Sequence, residues 1–273
     1  MNVSRTAQYV AFYRALEDSE RRRAPLFRDP FARGFLPRGL RLAIAASRIG
    51  VLRAALERYA DRRAPGARTS AIFRTRFIDD AVRSAIDDGA TQLVILGAGF
   101  DSRAHRLVLP PTRVFEVDRA PTQAAKRAGV SSSTREVHYV TVDFQKDDVL
   151  ARLAATGWSE REKTVLVWEG VSNYLDEAAV RGVLGLVQRA PSGSTLVMTY
   201  IHRGAIDGSV SFEGAALLRE SVRTLGEPWT FGATPEDIAA LGRAHRLTVQ
   251  RDLGADEYRR AYREAWEQAR RAG

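Results

Sequence analysis

The sequence predicts an α/β fold with a doubly wound, mostly parallel sheet, and three observations near its middle support this prediction. An apolar, β-branched run at 93–96 is typical of a short strand that is buried on both faces. Gly97 and Gly99 follow at once, as glycines do where backbone must turn tightly or approach a ligand closely. A second apolar strand at 113–117 ends in Asp118, about 20 residues past the glycines. This order is typical of the first β-α-β unit of a nucleotide-binding sheet.

Further helices and strands alternate along the chain, each indicated by its hydrophobic period and by its capping residues. Before the first strand, helices are predicted at 3–20, from 29 onward, at 40–61 and at 69–88. After the second strand, helices are predicted at 121–127, 176–190 and 215–225, from 235 onward, and at 256–271. Strands three to six are predicted at 138–142, 163–168, 195–200 and 245–252.

The chain length suits one large α/β domain with a helical addition. Residues 1–66 consist of helical patterns separated by prolines, and we expect them to form an N-terminal helical cap over the ligand end of the sheet. Residues 67–273 then form the sheet domain. A glycine-rich stretch at about 201–232 interrupts its alternation of strands and helices, and we expect this stretch to form a lid.

Composition excludes several classes of protein. The chain has no cysteine, which excludes disulfides, thiolate metal sites and a cysteine nucleophile. No apolar run approaches the length of roughly 18 residues that indicates a membrane span. The N-terminal residues lack the apolar core of a secretory leader. We therefore expect a cytoplasmic protein with no membrane partner, and no pattern of metal ligands indicates a metal site.

The formal net charge is +9, and arginine accounts for 39 of the 42 basic residues. Such a balance is typical of nucleic-acid binding when the charges cluster on one surface. Here the basic residues are spread along the chain, with one arginine triple at 21–23 and no interleaved aromatic residues. We therefore expect no nucleic-acid partner, and an acidic small molecule is a better match for the charge.

The glycine loop favours an adenosyl ligand over a dinucleotide. The fingerprint G-x-G-x-x-G fails at its third position, where Ser102 stands, so a pyrophosphate has little support. A G-x-G loop with an acid on the next strand suits S-adenosylmethionine (SAM), and Asp118 would accept the ribose hydroxyls. The alternative is a tight turn that binds no ligand. Asp143 and Phe144, at the end of strand three, suit the adenine, although Asp143 also lies where a helix cap is expected.

Several separated motifs resemble one known family. The strings LGAGFDSRAHRL at 96–107 and FEVD at 115–118 resemble the leucine carboxyl methyltransferase family of class I SAM-dependent methyltransferases. The resemblance extends to SRTAQYVAFYRALE, LFRDPFA, FRTRFIDDAV, WEGVSNYL and FGATPEDIAAL. It is closest to the bacterial enzymes that methylate polyketide carboxyl or hydroxyl groups. It implies a Rossmann-like fold with a seventh, antiparallel strand, for which no pattern is present after Asp252.

The resemblance also assigns residues to the cofactor. An arginine of the helix before strand one binds the methionine carboxylate of SAM in this family, and Arg74 matches it better than Arg76. A planar guanidinium binds a carboxylate through two parallel hydrogen bonds, although a solvated helix arginine is the ordinary alternative. Glu169 is expected under the amino-acid end or the ribose. The full predicted cofactor set is Arg5, Arg74, Gly97, Ala98, Gly99, Asp118, Asp143, Phe144 and Glu169.

The lid and the loop after strand four supply the candidate substrate contacts. These side chains are aromatic or basic, as the binding of an aromatic acid would require. The alternative role for each of them is ordinary packing. The candidates are Tyr174, Tyr200, His202, Arg203, Phe212, Trp229 and Phe231.

The predicted reaction is SAM-dependent O-methylation of a carboxylate on a small acidic or aromatic molecule, such as a polyketide. A carboxylate is ionised at neutral pH and needs no general base, whereas a phenol benefits from one. His202 is the one histidine in the lid and a weak candidate for that base, so hydroxyl methylation remains the alternative. A SAM-binding regulatory protein without turnover is the alternative from another class. Either a monomer or a homodimer is compatible with the sequence.

Overall fold

Five parallel strands form the centre of the molecule. In the computed structural model, which describes residues 4–21, 24–130, 132–212, 214–254, 256–258 and 260–263, the strand order is β3-β2-β1-β4-β5. Every described pair of neighbouring strands is parallel. The strands are β1 Gln92–Leu96, β2 Arg113–Asp118, β3 His138–Thr141, β4 Thr164–Trp168 and β5 Thr195–Met198. The predicted doubly wound α/β fold is thereby confirmed.

Helices connect the strands and cover both faces of the sheet. They are α1 Arg5–Asp18, α2 Arg38–Ala46, α3 Gly50–Arg63, α4 Ala67–Asp87, α5 Arg103–Arg106, α6 Ala120–Gly129, α7 Val149–Ala155, α8 Glu177–Arg189, α9 Arg203–Asp207, α10 Ala215–Thr224 and α11 Pro235–Ala244. Short 3-10 turns occur at Ala32–Phe35 and Ser172–Tyr174. Among the described helices, none has both the length and the apolar composition needed to cross a bilayer.

Strand β1 shows why the sheet must be covered on both sides. Leu93 and Ile95 pack with α4 on one face, in a cluster that also contains Val82. Val94 and Leu96 point the other way and join the cluster that includes helix α8. All four of these β1 side chains are at least 98% buried. A continuous apolar run is therefore required, because side chains alternate between two buried faces.

The strand order places a ligand site at one edge. The chain leaves β1 toward β2 and β3, and later returns to add β4 on the other side of β1. The carboxyl ends of β1 and β4 therefore flank the position where the order of winding reverses. Open α/β sheets bind ligands at this position, because the outgoing loops diverge there and leave a crevice.

Capping residues define several helix starts as the sequence predicted. The Asp176 side chain accepts a hydrogen bond from the backbone N–H of Ala179 at 2.8 Å, which starts α8. Thr234 and Asp237 form a reciprocal capping box at the start of α11. These contacts satisfy N–H groups that the first helical turn leaves without partners.

The single helix predicted at 40–61 is wrong, because the structure has two helices there. Helix α2 ends at Ala46 and α3 begins at Gly50. The Ser47 hydroxyl donates to the Ile44 carbonyl at 2.7 Å, and Ile49 is extended with φ −89° and ψ 119°. A serine that bonds to its own preceding turn competes with the helix, and apolar periodicity alone does not reveal that competition.

The predicted sixth strand at 245–252 is also wrong. Arg246 adopts a left-handed conformation with φ 56°, and the N–H of Leu247 donates to the Gly242 carbonyl at 2.9 Å. This turn ends α11 and is followed by exposed backbone that pairs with no described strand. Leu247 packs against the core, whereas Val249 is 42% exposed. The alternating pattern therefore arises from one partly buried residue rather than from a sheet face.

The C-terminal helix predicted at 256–271 is described only in part. Residues 256–258 and 260–263 are helical, and the remainder of that prediction lies outside the described residues. The Tyr262 hydroxyl donates to Asp80 at 3.0 Å, and the Tyr258 hydroxyl lies 2.6 Å from the Ser70 hydroxyl oxygen. These contacts hold the segment against α4.

Candidate functional site

The glycine loop, residues 97–99, leaves the carboxyl end of β1 in a conformation that favours glycine. Gly97 has φ 63° and Gly99 has φ 44°. A Cβ atom on Gly97 would lie 2.4 Å from Cγ2 of Val171, so the loop after β4 packs directly on this position. The N–H of Gly99 donates to Asp118 at 2.6 Å. The shape of the loop therefore depends on the missing side chain at Gly97 and on the hydrogen bond from Gly99 to Asp118.

Glu169 lies beside this loop at the end of β4, between two arginines. Its Oε1 accepts from Arg74 Nε and its Oε2 from Arg103 Nη1, each at 2.7 Å. Burial alone would raise the pKa of Glu169, but Arg103 and Arg74 outweigh it and hold that pKa at about 2. Glu169 is therefore ionised at neutral pH and is a weak base.

A chain of buried ion pairs extends from Glu169 to helix α1. Arg103 Nε donates to Asp79 at 2.8 Å, and Asp79 accepts two hydrogen bonds from Arg106 at 2.6 and 2.7 Å. Arg106 lies 3.8 Å from Asp29, whose carboxylate is 2.9 Å from Arg14 Nε. Charges this deeply buried are tolerated only when each has a partner of opposite sign. The network therefore ties α1, α4 and α5 to the end of β4.

The two candidate arginines of α4 have different partners. Arg74 faces Glu169 and the site. Arg76 Nε instead donates to both oxygens of Asp80 at 2.9 Å, and its Nη1 donates to the Leu26 carbonyl. Among the described contacts of Arg74, only Nε is used, so its Nη groups remain available for a carboxylate. This arrangement favours Arg74 over Arg76 for the methionine end of SAM.

Two strand-end acids lie where the adenosine is expected. Asp118 accepts from the N–H groups of Gly99 and Arg119, both at 2.6 Å. Asp143 accepts from the Gln145 N–H at 3.1 Å and lies 3.4 Å from an Nη of Arg119. Phe144, beside Asp143, packs partly buried against the core. A carboxylate has about four acceptor sites, so both acids keep capacity for hydroxyl or amino groups.

The N-terminal segment closes over the glycine loop. A Cβ on Gly99 would lie 3.9 Å from Cβ of Ala7, at ordinary contact distance. Glu227 accepts from the hydroxyls of Ser4 and Thr6, and from the backbone N–H of Arg5 at 3.2 Å. The Arg5 side chain itself is exposed, so its predicted role toward the cofactor stays a prediction.

Tyr174 and Trp229 belong to the same closure. The Thr230 N–H donates to the Asn173 carbonyl at 2.8 Å, which brings the loop after α10 onto the loop after β4. Burial raises the pKa of the Tyr174 hydroxyl, while hydrogen bonds with Thr6, Asn173 and Trp229 oppose that rise. Tyr174 thus contacts the N-terminal segment through Thr6, the loop after α10 through Trp229, and its own loop through Asn173.

Two other predicted substrate contacts take part in polar pairs. The Tyr200 hydroxyl donates to Asp252 at 2.8 Å. Arg203 lies 2.8 Å from the Asp237 carboxylate, and its side chain is mostly exposed. Neither is joined to the glycine loop by a described contact, so their role toward a substrate stays a prediction.

The remaining lid candidates pack on their own neighbours. His202 caps α9 by accepting the Gly204 N–H on Nδ1 at 3.1 Å, and its ring lies 5.1 Å from the Phe212 ring. Phe231 is 93% buried and packs in the main core cluster. Packing is the role that was given above as the alternative to a substrate contact. Backbone pairing between His202 and Ala233 closes the base of the lid.

The donor set of this edge fits SAM. Arg74 offers a guanidinium for a carboxylate, Asp118 and Asp143 offer acceptors for hydroxyl and amino groups, and the glycine loop offers backbone without side chains. Residue-level reasoning missed Asp79 and left Arg103 without a role. A charged residue inside the apolar stripe of α4 was the available signal for Asp79, because buried carboxylates require partners.

Comparisons with known proteins agree with this geometry. The sequence profile of the leucine carboxyl methyltransferase family matches residues 7–188. A relative in Frankia alni is 36% identical over 208 residues, covering 74% of this chain and 70% of its own length. A relative in Streptomyces coelicolor is 38% identical over 211 residues, with the same coverage. Both are assigned as S-adenosyl-L-methionine-dependent methyltransferases.

Solved structures show the same fold. A protein of Thermobifida fusca YX that is assigned as a methyltransferase superposes with a TM-score of 0.56 at 20% identity, covering 90% of this chain and 88% of its own. A DUF574-family protein of Streptomyces avermitilis MA-4680 superposes with a TM-score of 0.56 at 17% identity, covering 85% of this chain and 81% of its own. The chain therefore belongs to the leucine carboxyl methyltransferase family and is a SAM-dependent methyltransferase.

Proposed function

We propose that this enzyme methylates a carboxylate oxygen of a small acidic molecule with an apolar, aromatic body, of the polyketide class. When bound, SAM supplies an electrophilic methyl group, and an ionised carboxylate is a competent nucleophile without prior proton transfer. The proposal concerns the acceptor alone.

The observation that carries the proposal is the state of Glu169. It is the acid at the end of β4, and Arg74 and Arg103 hold its pKa at about 2. A carboxylate of such low pKa cannot efficiently take a proton from a phenol whose pKa is near 10. Because both of its oxygens are bound by arginines, Glu169 is not a proton acceptor, which suits an acceptor that arrives already ionised.

The lid histidine supports the same choice. His202 accepts the Gly204 N–H on Nδ1, so the proton of the neutral ring is on Nε2. A ring in this tautomer has no free lone pair with which to deprotonate a hydroxyl. His202 is thus better suited to capping α9 than to general base catalysis.

The aromatic side chains near the closure suit the body of such an acceptor. Tyr174 and Trp229 lie where the N-terminus, the lid and the β4 loop converge. Aromatic rings bind flat apolar molecules over a large area, with preferred offset or edge-to-face contacts. The acceptor carboxylate would require a cation, and the arginine-rich composition of the chain offers many.

The test compares matched pairs of acceptors. Aromatic carboxylic acids and the corresponding phenols on the same ring are incubated with enzyme and SAM, and products are identified by mass. Mild alkali releases methanol from a methyl ester but leaves an aryl ether intact. We expect alkali-labile products from the acids. Alkali-stable products formed only from the phenols would instead establish hydroxyl methylation.

A further inference from the structure

A second buried charge cluster lies directly behind the glycine loop and takes no part in the chemistry described above. Glu116 of β2 is fully buried, and Lys126 of α6 is 99% buried. The Lys126 Nζ lies 2.7 Å from the Glu116 Oε1. A charged residue in the middle of the buried strand β2 is unusual, because an apolar side chain there would avoid the desolvation of a carboxylate.

The lysine also contacts the loop. Its Nζ donates to the carbonyl of Ala98, the residue between the two glycines, at 3.4 Å. On the other side of the loop, Asp118 accepts the N–H of Gly99. Glu116 and Asp118 are both on β2, two residues apart. Strand β2 therefore anchors the loop in three ways: the Val117 carbonyl accepts the Ala98 N–H at 3.0 Å, Asp118 accepts the Gly99 N–H, and Glu116 holds the lysine.

No other cation among the described side chains replaces Lys126 in this cluster. His105 Nε2 is 3.9 Å from Glu116, but burial, followed by the charge of Lys126, lowers the pKa of His105 to about 4, so its ring is neutral at physiological pH. Its Nδ1 lies 2.9 Å from the Ser133 hydroxyl oxygen. The positive charge beside Ala98 is therefore the ammonium of Lys126.

We propose that Glu116 and Lys126 form a positioning pair that fixes the glycine loop in its cofactor-binding conformation. Glu116 orients the ammonium, and the ammonium holds the Ala98 carbonyl together with the N–H of Asp101, which donates to it at 2.7 Å. The loop backbone then does not have to be ordered when SAM binds, which strengthens binding. This inference rests on the assignment of the glycine loop to SAM and is independent of the acceptor.

The test separates cofactor affinity from folding. Burial already raises the pKa of Glu116 to about 7. Lys126→Met removes the ammonium and leaves the buried Glu116 carboxyl without its partner, so we expect a lower melting temperature and weaker binding. The double variant Lys126→Met/Glu116→Gln removes both charges. It should recover part of the melting temperature, because an amide needs no proton uptake to be neutral when buried. Its affinity for S-adenosylhomocysteine, measured by calorimetry, should stay roughly tenfold below wild type, or about 1.4 kcal/mol.

Lys163→Met is the matched control. Lys163 also donates to a backbone carbonyl, that of Asp88 at 3.0 Å, but it directly precedes β4, at the opposite edge of the sheet from the glycine loop. Its loss should leave the affinity for S-adenosylhomocysteine at the wild-type value. Amide hydrogen exchange at Gly99, measured where each variant is folded, should be faster in both Lys126 variants and unchanged in Lys163→Met.

Three outcomes test the positioning role of Glu116 and Lys126. Weak binding and fast Gly99 exchange in both Lys126 variants support the positioning role. Wild-type affinity together with slow Gly99 exchange in either Lys126 variant would overturn it and leave a purely structural pair. Absence of S-adenosylhomocysteine binding by the wild-type protein would also overturn it, because the loop assignment on which it rests would then be wrong.

Discussion

Arg74 donates to Glu169 across 95 positions of sequence, at an N···O distance of 2.7 Å. The pair joins α4 to the end of β4, and it presents a guanidinium edge at the crevice between β1 and β4. Arg103 occupies the other oxygen of Glu169, so the carboxylate is balanced from both sides. An arginine positioned in this way is ordered before the cofactor arrives, which is how a side chain contributes most to binding.

Arg74→Ala should weaken SAM binding by roughly 1.5–3 kcal/mol, the range for a hydrogen bond to a charged group. Arg76→Ala is the matched control, because Arg76 pairs with Asp80 and faces away from Glu169. Calorimetric titration of both variants with SAM checks the prediction. A larger loss of affinity in Arg76→Ala would show that Arg76, and not Arg74, binds the carboxylate of SAM.

Glu169→Gln should change the response to acid. The folded-state pKa of Glu169 is about 2, below its ordinary value of 4.5. Ionised Glu169 therefore stabilises the fold fully above pH 4.5, and this stabilisation is lost as the pH falls from 4.5 toward 2. Denaturant unfolding at neutral and acidic pH should show a smaller loss of the free energy of unfolding in Glu169→Gln. An equal loss in both proteins would contradict the prediction.

Gly97→Ala should destabilise the protein more than Gly99→Ala. Both positions have positive φ, which costs a side chain on the order of 1 kcal/mol. At Gly97 the new Cβ would also lie 2.4 Å from Val171, whereas at Gly99 the nearest atoms are 3.8 Å away or farther. Overpacking adds about 1–3 kcal/mol. Val171→Ala should recover part of the loss in Gly97→Ala; failure to do so would attribute the whole effect to backbone conformation.

Glu227→Ala should loosen the closure of the N-terminal segment on the lid. Glu227 accepts from Ser4, Arg5 and Thr6, so its loss leaves the first turn of α1 unattached to the lid. We expect faster amide exchange in that turn and a severalfold weaker affinity for S-adenosylhomocysteine. Glu220→Ala is the control, because Glu220 pairs with Arg223 on the exposed face of α10. Unchanged exchange in Glu227→Ala would mean that the contact does not hold the segment.

Methyl transfer should vary little with pH between about 6 and 9, because a carboxylate acceptor with a pKa near 4 is fully ionised there. Initial rates with saturating SAM and a methylated product confirmed by mass provide the measurement. A rate that rises with pH through that window would indicate ionisation of a hydroxyl acceptor or of a base. A flat profile thus indicates a carboxylate acceptor, and a rising one indicates a hydroxyl acceptor.

All five strands of the sheet were predicted from sequence. Strands β1 and β4 are short runs whose residues are all buried, whereas β2, β3 and β5 contain residues that are partly buried or exposed. The predicted ends agree with the structure to within about two residues, the ordinary uncertainty of an element end. The local sequence pattern gave wrong predictions where contacts with other parts of the chain determine the structure. The alternation at 245–252 satisfies the strand template, but only Leu247 reaches the core. Helix α2 ends beside Ser47, whose hydroxyl contacts the Ile44 carbonyl and the Ser19 hydroxyl, and apolar spacing cannot reveal these contacts.

The site residues also divide into those that the sequence indicated and those that depend on contacts between distant segments. Asp118 and Glu169 stand at the ends of strands whose positions the sequence shows, and Arg74 was assigned from the family resemblance. The buried network behind them, from Arg103 through Asp79 to Arg14, joins segments that are far apart in the chain. No local pattern specifies which arginine meets which acid. Glu116, alone among apolar neighbours in β2, was the visible sign that such pairing exists.

The contact between Glu227 and the residues Ser4–Thr6 has a consequence for biosynthesis. The two partners are separated by more than 220 residues, so a growing chain cannot complete the closure until synthesis has passed residue 227. The glycine loop and the strands that carry its acids are made much earlier. A nascent chain on the ribosome will therefore hold an open crevice until the residues around Glu227 have been synthesised.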